Sequence, residues 1–150
     1  MTPEAHARQS IDSLLIAAGW AVQDVKDVNL HAALGVAIRE FPLNVGHGFA
    51  DYLLYIDGKA CGVIEAKKEG ATLSGVELQS SCYAPGLSAS LPAWSRPLPF
   101  VSVSTGIETH FTNGLDPSAH AWSTSACFRR ALLCWVQNQY LIGKSVGCSK

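Results

Sequence analysis

Apolar and polar positions alternate along the chain first with a helical period and then, repeatedly, with the period of a strand. Thr2 reads as an N-cap ahead of Pro3, and Ile11, Leu14, Leu15 and Ala18 follow at the i, i+3, i+4, i+7 spacing of an amphipathic helix that Gly19 ends. Trp20-Ala21-Val22 and a polar stretch through Asn29 come next, and then residues 35–41 read as a strand stopped by Pro42. A loop over 43–48, with Gly46 and Gly48, precedes two β-rich runs, 49–56 and 60–67, joined by the hairpin signal Asp57-Gly58-Lys59. Ser74 and Glu77 form a capping box that opens a helix closing near Ala84-Pro85-Gly86. After a proline-rich loop from Leu91 to Pro99, residues 100–104 read as a strand. Thr105-Gly106 then turns into a further short strand over 108–113. The predicted order is αβββαββ, without internal repeat.

The hairpin decides which chemistry can assemble. Period-2 alternation points Glu65 and Lys67 to one face at the end of a strand, where ionised groups are costly unless paired or bound to a metal. A two-residue Asp57-Gly58 loop pairs Asp51 with Ile64 and sends it to the face opposite Glu65. A three-residue loop, Ile56-Asp57-Gly58, pairs Asp51 with Val63 and leaves Asp51 and Glu65 on one face as diagonal neighbours. We expect the three-residue loop. Two carboxylates so placed suit a hard divalent cation, with Lys67 beside one of its waters. The plainer alternative is a set of exposed strand-end charges, with Lys67 merely paired to Glu65.

Composition narrows the field. A chain of 150 residues, 48% hydrophobic and 15% charged, builds one globular domain. The formal charge of −1 lacks the basic excess of non-specific nucleic-acid binders. That average hides a split: residues 1–117 carry 7 basic and 12 acidic side chains, and residues 118–150 carry 4 basic and none acidic. The start of the chain is no signal peptide, and no apolar run suits a membrane span, so a cytoplasmic protein without membrane contact is expected. The five cysteines (61, 82, 127, 134, 148) have no metal-site spacing and read as reduced packing residues.

The runs Arg39-Glu40-Phe41-Pro42, Gly46-His47-Gly48-Phe49-Ala50-Asp51-Tyr52-Leu53-Leu54 and Gly62-Val63-Ile64-Glu65-Ala66-Lys67-Lys68 together resemble a known family. It is the N-terminal nuclease domain of the restriction (R) subunit of type I restriction-modification enzymes, a branch of the PD-(D/E)xK nuclease superfamily. Gln79-Ser80-Ser81-Cys82-Tyr83 fits the Gln-x-x-x-Tyr element of this branch. Phe111-Thr112-Asn113-Gly114 extends the likeness, which covers residues 2–117.

The resemblance implies an α/β fold, a restriction-endonuclease-like α/β/α sandwich on a small mixed sheet. It implies Mg²⁺-dependent hydrolysis of phosphodiester bonds in double-stranded DNA, with modification and specificity subunits as partners. By position, Asp51 and Glu65 would be metal ligands, helped by the backbone carbonyl of Ala66, and Lys67 would orient or activate the attacking water. Gln79 and Tyr83, four apart, share a helix face that the resemblance turns toward the metal site or the DNA backbone. Glu4 on the first helix is a candidate third acid. His47, between two glycines near Asp51, reads as a loop or phosphate contact, and Glu40 has no assigned role.

Full R subunits continue into ATP-driven motor domains. Gly143-Lys144-Ser145 is not a phosphate loop, because Asn138 stands where its first glycine belongs, so no ATP site is expected here. Residues 118–150 hold three of the five cysteines and an apolar stretch, Ala131–Val136, behind Arg129-Arg130. This atypical tail reads first as a shifted frame that truncated a longer gene, and second as a helix packing on the sheet. Two rival functions stand beside the type I nuclease: a stand-alone nuclease of the superfamily for repair or junction resolution, disfavoured by the missing basic patch, and a catalytically silent remnant.

Overall fold

The computed structural model describes residues 1–73 and 86–113, the last three of them by backbone alone. Helix α1 (Pro3–Ala17) starts where the sequence says it should: the Thr2 hydroxyl accepts from Ala5 N at 3.2 Å, and proline stands just inside the cap. Gly19 takes φ +92° and turns the chain out of the helix, as only glycine does cheaply. Of the predicted apolar face, Ile11 and Leu15 are completely buried.

Among the described residues six strands follow: β1 (Ala21–Asp24), β2 (Gly35–Pro42), β3 (Phe49–Ile56), β4 (Lys59–Ala66), β5 (Phe100–Ser104) and β6 (Thr109–Asn113), with a 3-10 turn at Val25–Asp27. They form one mixed sheet in chain order. β1 runs parallel to β2 and β4 parallel to β5, and the other neighbours are antiparallel. The chain is therefore an α/β domain with a small mixed sheet. The expected order αβββαββ lacked β1, a four-residue strand recruited by parallel pairing of Ala21 through Asp24 with Val36 through Arg39. The capping-box helix, and with it the second helical layer of a sandwich, lies outside the described residues, as does the 118–150 tail.

The hairpin corrects the expected three-residue loop. Asp57 and Gly58 take φ +50° and +76°, a two-residue turn whose twist matches the flanking strands, and Ile56 pairs directly with Lys59. That loop alone would have separated Asp51 from Glu65. A bulge restores the relation: Tyr55 pairs with Ala60 but Leu54 with Gly62, so Cys61 is the extra residue and the register moves by one. Tyr52 then faces Ile64, and the next residues along the two strands are Asp51 and Glu65, opposite one another and not diagonal as expected. The Cys61 thiol donates to Leu54 O at 3.4 Å, so the bulged residue is held inside the core.

The sheet separates two apolar clusters. On one face Ile11, Leu15 and Trp20 pack against Tyr52, Leu54, Ile56 and Ile64. On the other, Val36, Ile38, Leu53, Tyr55 and Val63 are covered by Leu73 and Leu87. Besides the bulge at Cys61, alternation fails at a second level: Glu40 takes φ +47°, and Ala50 joins the second cluster although Tyr52 belongs to the first. Glu40 and Asp51, in register between the Arg39–Tyr52 and Phe41–Ala50 pairs, sit at that break.

Candidate functional site

The break in β2 and β3 coincides with the end of the β3–β4 ladder, and the charged residues collect there. Beyond the Tyr52–Ile64 pair, Ala66 N–H has no strand partner on β3, so it donates instead to Asp51 Oδ2 at 2.9 Å. This bond holds the Asp51 carboxylate against the peptide that joins Glu65 to Ala66. Pairing of β4 continues on its other side, where Lys67 N donates to Ser104 O at 2.8 Å. The backbone that carries Glu65, Ala66 and Lys67 is thus fixed from both sides.

Alternation places Ile64 and Ala66 in the cluster under α1, so Glu65 and Lys67 share the other face, and their side chains form an ion pair. The Asp51 and Glu65 side chains are only 18% and 17% exposed, whereas Lys67 keeps 37% and can reach outward. Here the plain pairing of Lys67 with Glu65 and the functional reading begin from the same geometry.

The helix residue that reaches Asp51 is Arg8, one turn on from Glu4. Its Nη2 donates to Asp51 Oδ1 at 2.5 Å and its Nη1 to Glu40 Oε1 at 2.9 Å, so one guanidinium bridges two acids from neighbouring strands. Burial pulls the Arg8 pKa down, but attraction and hydrogen bonds from Asp51 and then Glu40 outweigh it and lift the value above the ordinary arginine range. A second bridge lies beside it: Arg39 Nη1 meets Asp12 Oδ2 at 2.9 Å and Arg39 Nε meets Asp24 Oδ1 at 3.1 Å. The Tyr52 hydroxyl, buried beneath both, donates to Asp12 Oδ1 at 2.8 Å and lies 3.0 Å from Arg8 O. Arg8, Asp12, Arg39 and Tyr52 were missed by the sequence reading as parts of this site.

Other predicted residues fall further off. Glu4 is exposed in the first turn of α1. His47 is exposed in the loop between β2 and β3, with its Cβ against Gly86 and its backbone N–H donating to Asn44 O at 3.0 Å. Gln79 and Tyr83 lie outside the described residues, as do Gly143-Lys144-Ser145 and every cysteine except Cys61. Cys61 is a free, buried thiol whose pKa burial pushes well above the usual range.

Asp51, whose Oδ1 receives the Arg8 guanidinium, supplies the kind of oxygen donor a hard divalent ion requires, and Glu65 carries another on the neighbouring strand. Among the described residues, however, no three His, Cys, Asp or Glu side chains gather as a ready-made metal cage. Any such ion would rest on these two carboxylates and backbone oxygen, with waters completing its shell. No helix among the described residues is long and apolar enough to cross a membrane.

No curated protein and no solved structure matches the chain. A family model does, over residues 25–104, just over half of the 150 residues. The match begins after α1 and takes in β2 to β5, with Glu40, Asp51, Glu65 and Lys67 all inside it. The chain belongs to the family described as the second domain of the endonuclease subunit of the type I restriction enzyme EcoKI.

Proposed function

We propose that this endonuclease-subunit domain carries the DNA-cutting site itself, a PD-(D/E)xK centre that hydrolyses phosphodiester bonds with Mg²⁺. The observation that carries the reading is the bond from Asp51 Oδ2 to the amide that follows Glu65, with Lys67 paired to Glu65 alongside. It brings the acid of one strand and the Glu-x-Lys of the next to a single rim of the sheet.

In this reading Asp51, Glu65 and the carbonyl of Ala66 hold the cation, which when bound polarises the phosphate and acidifies a water. The half-exposed ammonium of Lys67 orients that water and offsets charge growing on the phosphoryl oxygens. Glu65 in turn keeps Lys67 in place. Double-stranded DNA is the substrate, and sequence choice falls to a separate specificity subunit in the assembled system.

A plasmid-nicking assay of the full chain in Mg²⁺ or Mn²⁺ tests this. Wild type is expected to nick, and Asp51→Ala and Lys67→Ala to lose at least about a hundredfold, the usual scale for removing a charge-stabilising group. Calorimetry separates the roles: Asp51→Ala loses cation binding, whereas Lys67→Ala keeps it. Nicking that survives both substitutions ends the proposal. A silent remnant is the second reading, favoured by the N–H donors that already engage both oxygens of Asp51. It predicts a wild-type chain that binds no cation.

A further inference from the structure

The cation side of Asp51 is taken by a side chain. Oδ2 is committed to Ala66 N at 2.9 Å, which leaves Oδ1 as the oxygen free of the strand, and Arg8 Nη2 sits on it at 2.5 Å. A divalent ion arriving at that oxygen meets a positive charge already in place. Two cations on one carboxylate oxygen repel, so one of them has to give way.

Three features make Arg8 the one that moves. Its side chain is 39% exposed, so water can receive it. Its Nε is buried without a hydrogen-bond partner among the described residues, so the fork to Asp51 and Glu40 is its whole anchorage. Glu40 is 69% exposed and stands next to Asp51 in register, offering a second acid that can retain the guanidinium once Asp51 is lost. The bond from Asp51 to Ala66, by contrast, need not change, so the carboxylate stays aimed while its counter-ion is exchanged.

We propose that Arg8 is a displaceable counter-ion and positioning residue: it holds Asp51 in place without the cation, competes with the cation for Oδ1, and thereby sets the affinity of the site. Resting on the metal-site reading of Asp51 and Glu65, this adds that occupancy is governed from α1. Arg8 offsets the repulsion between the adjacent carboxylates of Glu40 and Asp51 before the ion arrives, and its release shifts positive charge toward Glu40 as the ion enters.

Titrating Mn²⁺ into the full chain by calorimetry, with the rise in melting temperature on adding Mn²⁺ as a second readout, tests the competition. Arg8→Gln is expected to bind Mn²⁺ about threefold to tenfold tighter than wild type, the scale of removing one competing ion pair of this exposure. Arg8→Lys, which keeps the charge but cannot fork between two acids, falls in between and serves alone if Arg8→Gln does not fold. The gain disappears when Asp51→Asn is added. A merely structural arginine gives the opposite sign, with weaker binding in both variants. Wild type and variants binding equally, or the variants binding more weakly, overturns the competition and leaves the metal site standing. No binding by wild type, Arg8→Gln or Arg8→Lys overturns the metal site and the competition together.

Discussion

Tyr52 is fully buried, and its hydroxyl ends on Asp12 Oδ1, so a polar group in the middle of the α1 interface is satisfied by the helix itself. Tyr52→Phe leaves Asp12 with Arg39 as partner and no cavity behind, so the loss is that of one hydrogen bond to a charged acceptor, about 1.5–3 kcal/mol by urea denaturation at neutral pH. The same contact has a pH signature. Burial first, then the hydrogen bond and charge of Asp12, raise the Tyr52 pKa far above its usual 10.0, with Arg39 and Arg8 opposing. The folded chain therefore keeps this proton to higher pH than the unfolded chain does. Its stabilising share is complete below pH 10 and drains away as pH climbs beyond it. Tyr55, also raised by burial, contributes in the same direction. Melting Tyr52→Phe and wild type between neutral pH and the alkaline limb is expected to give a shallower fall for the variant. An equally steep limb means that Tyr52 ionises freely in the fold.

At the scale of elements, the β3–β4 hairpin depends on two glycines for different reasons, and substitution separates them. Gly58 needs φ +76° but has open space around it, so Gly58→Ala is expected to cost about 1–2 kcal/mol, the strain of a left-handed alanine. Gly62 has an ordinary backbone, yet a Cβ there would lie 2.5 Å from the carbonyl oxygen of Phe100. That oxygen belongs to the parallel β4–β5 pair and cannot retreat without opening the ladder, so Gly62→Ala is expected to cost at least about 3 kcal/mol or to prevent folding. Denaturant midpoints of the two variants measure the difference, and equal costs would remove the close β4–β5 approach as its cause. These residues also show what the sequence could and could not tell. Asp57-Gly58 announced the turn, and the alternation in 60–67 announced that Glu65 and Lys67 point the same way. The bulge at Cys61 was not announced, because it arises where β4 must satisfy β3 and β5 at once. β1 escaped notice because four residues of mixed polarity become a strand only through β2. Arg8 escaped for a related reason: from the sequence it is an ordinary helix-surface arginine, four residues from both Glu4 and Asp12, and its acceptor is 43 positions away.

For the whole molecule the question is what keeps α1, and with it Arg8, on the sheet. Two arginine bridges are visible; their Asp51 and Asp12 ends are mostly covered, at 18% and 20% exposed, but both arginines and the other two acids are open to water: Arg8 39%, Glu40 69%, Arg39 36% and Asp24 51%. Ion pairs so placed are worth less than about 1 kcal/mol each, because water and salt screen them. Ile11 and Leu15 lie at 0% exposure against the sheet with Trp20 at 3%, and deleting a buried side chain of that size costs about 2–5 kcal/mol. Apolar burial therefore docks the helix, and the charges choose its register and aim. Ile11→Ala is accordingly expected to lose several kcal/mol, whereas Asp24→Ala, or raising NaCl to about 1 M in wild type, changes stability by less than about 1 kcal/mol. Urea melts on the three samples read this directly. A large salt effect beside a mild Ile11→Ala would mean that the bridges carry the helix. Arg8 could then not leave Asp51 without unseating α1, and exchange of the guanidinium for a cation would be coupled to partial unfolding. With burial dominant, the helix stays docked while one of its side chains moves, and the rim of β3 and β4 can change its counter-ion on an unchanged scaffold.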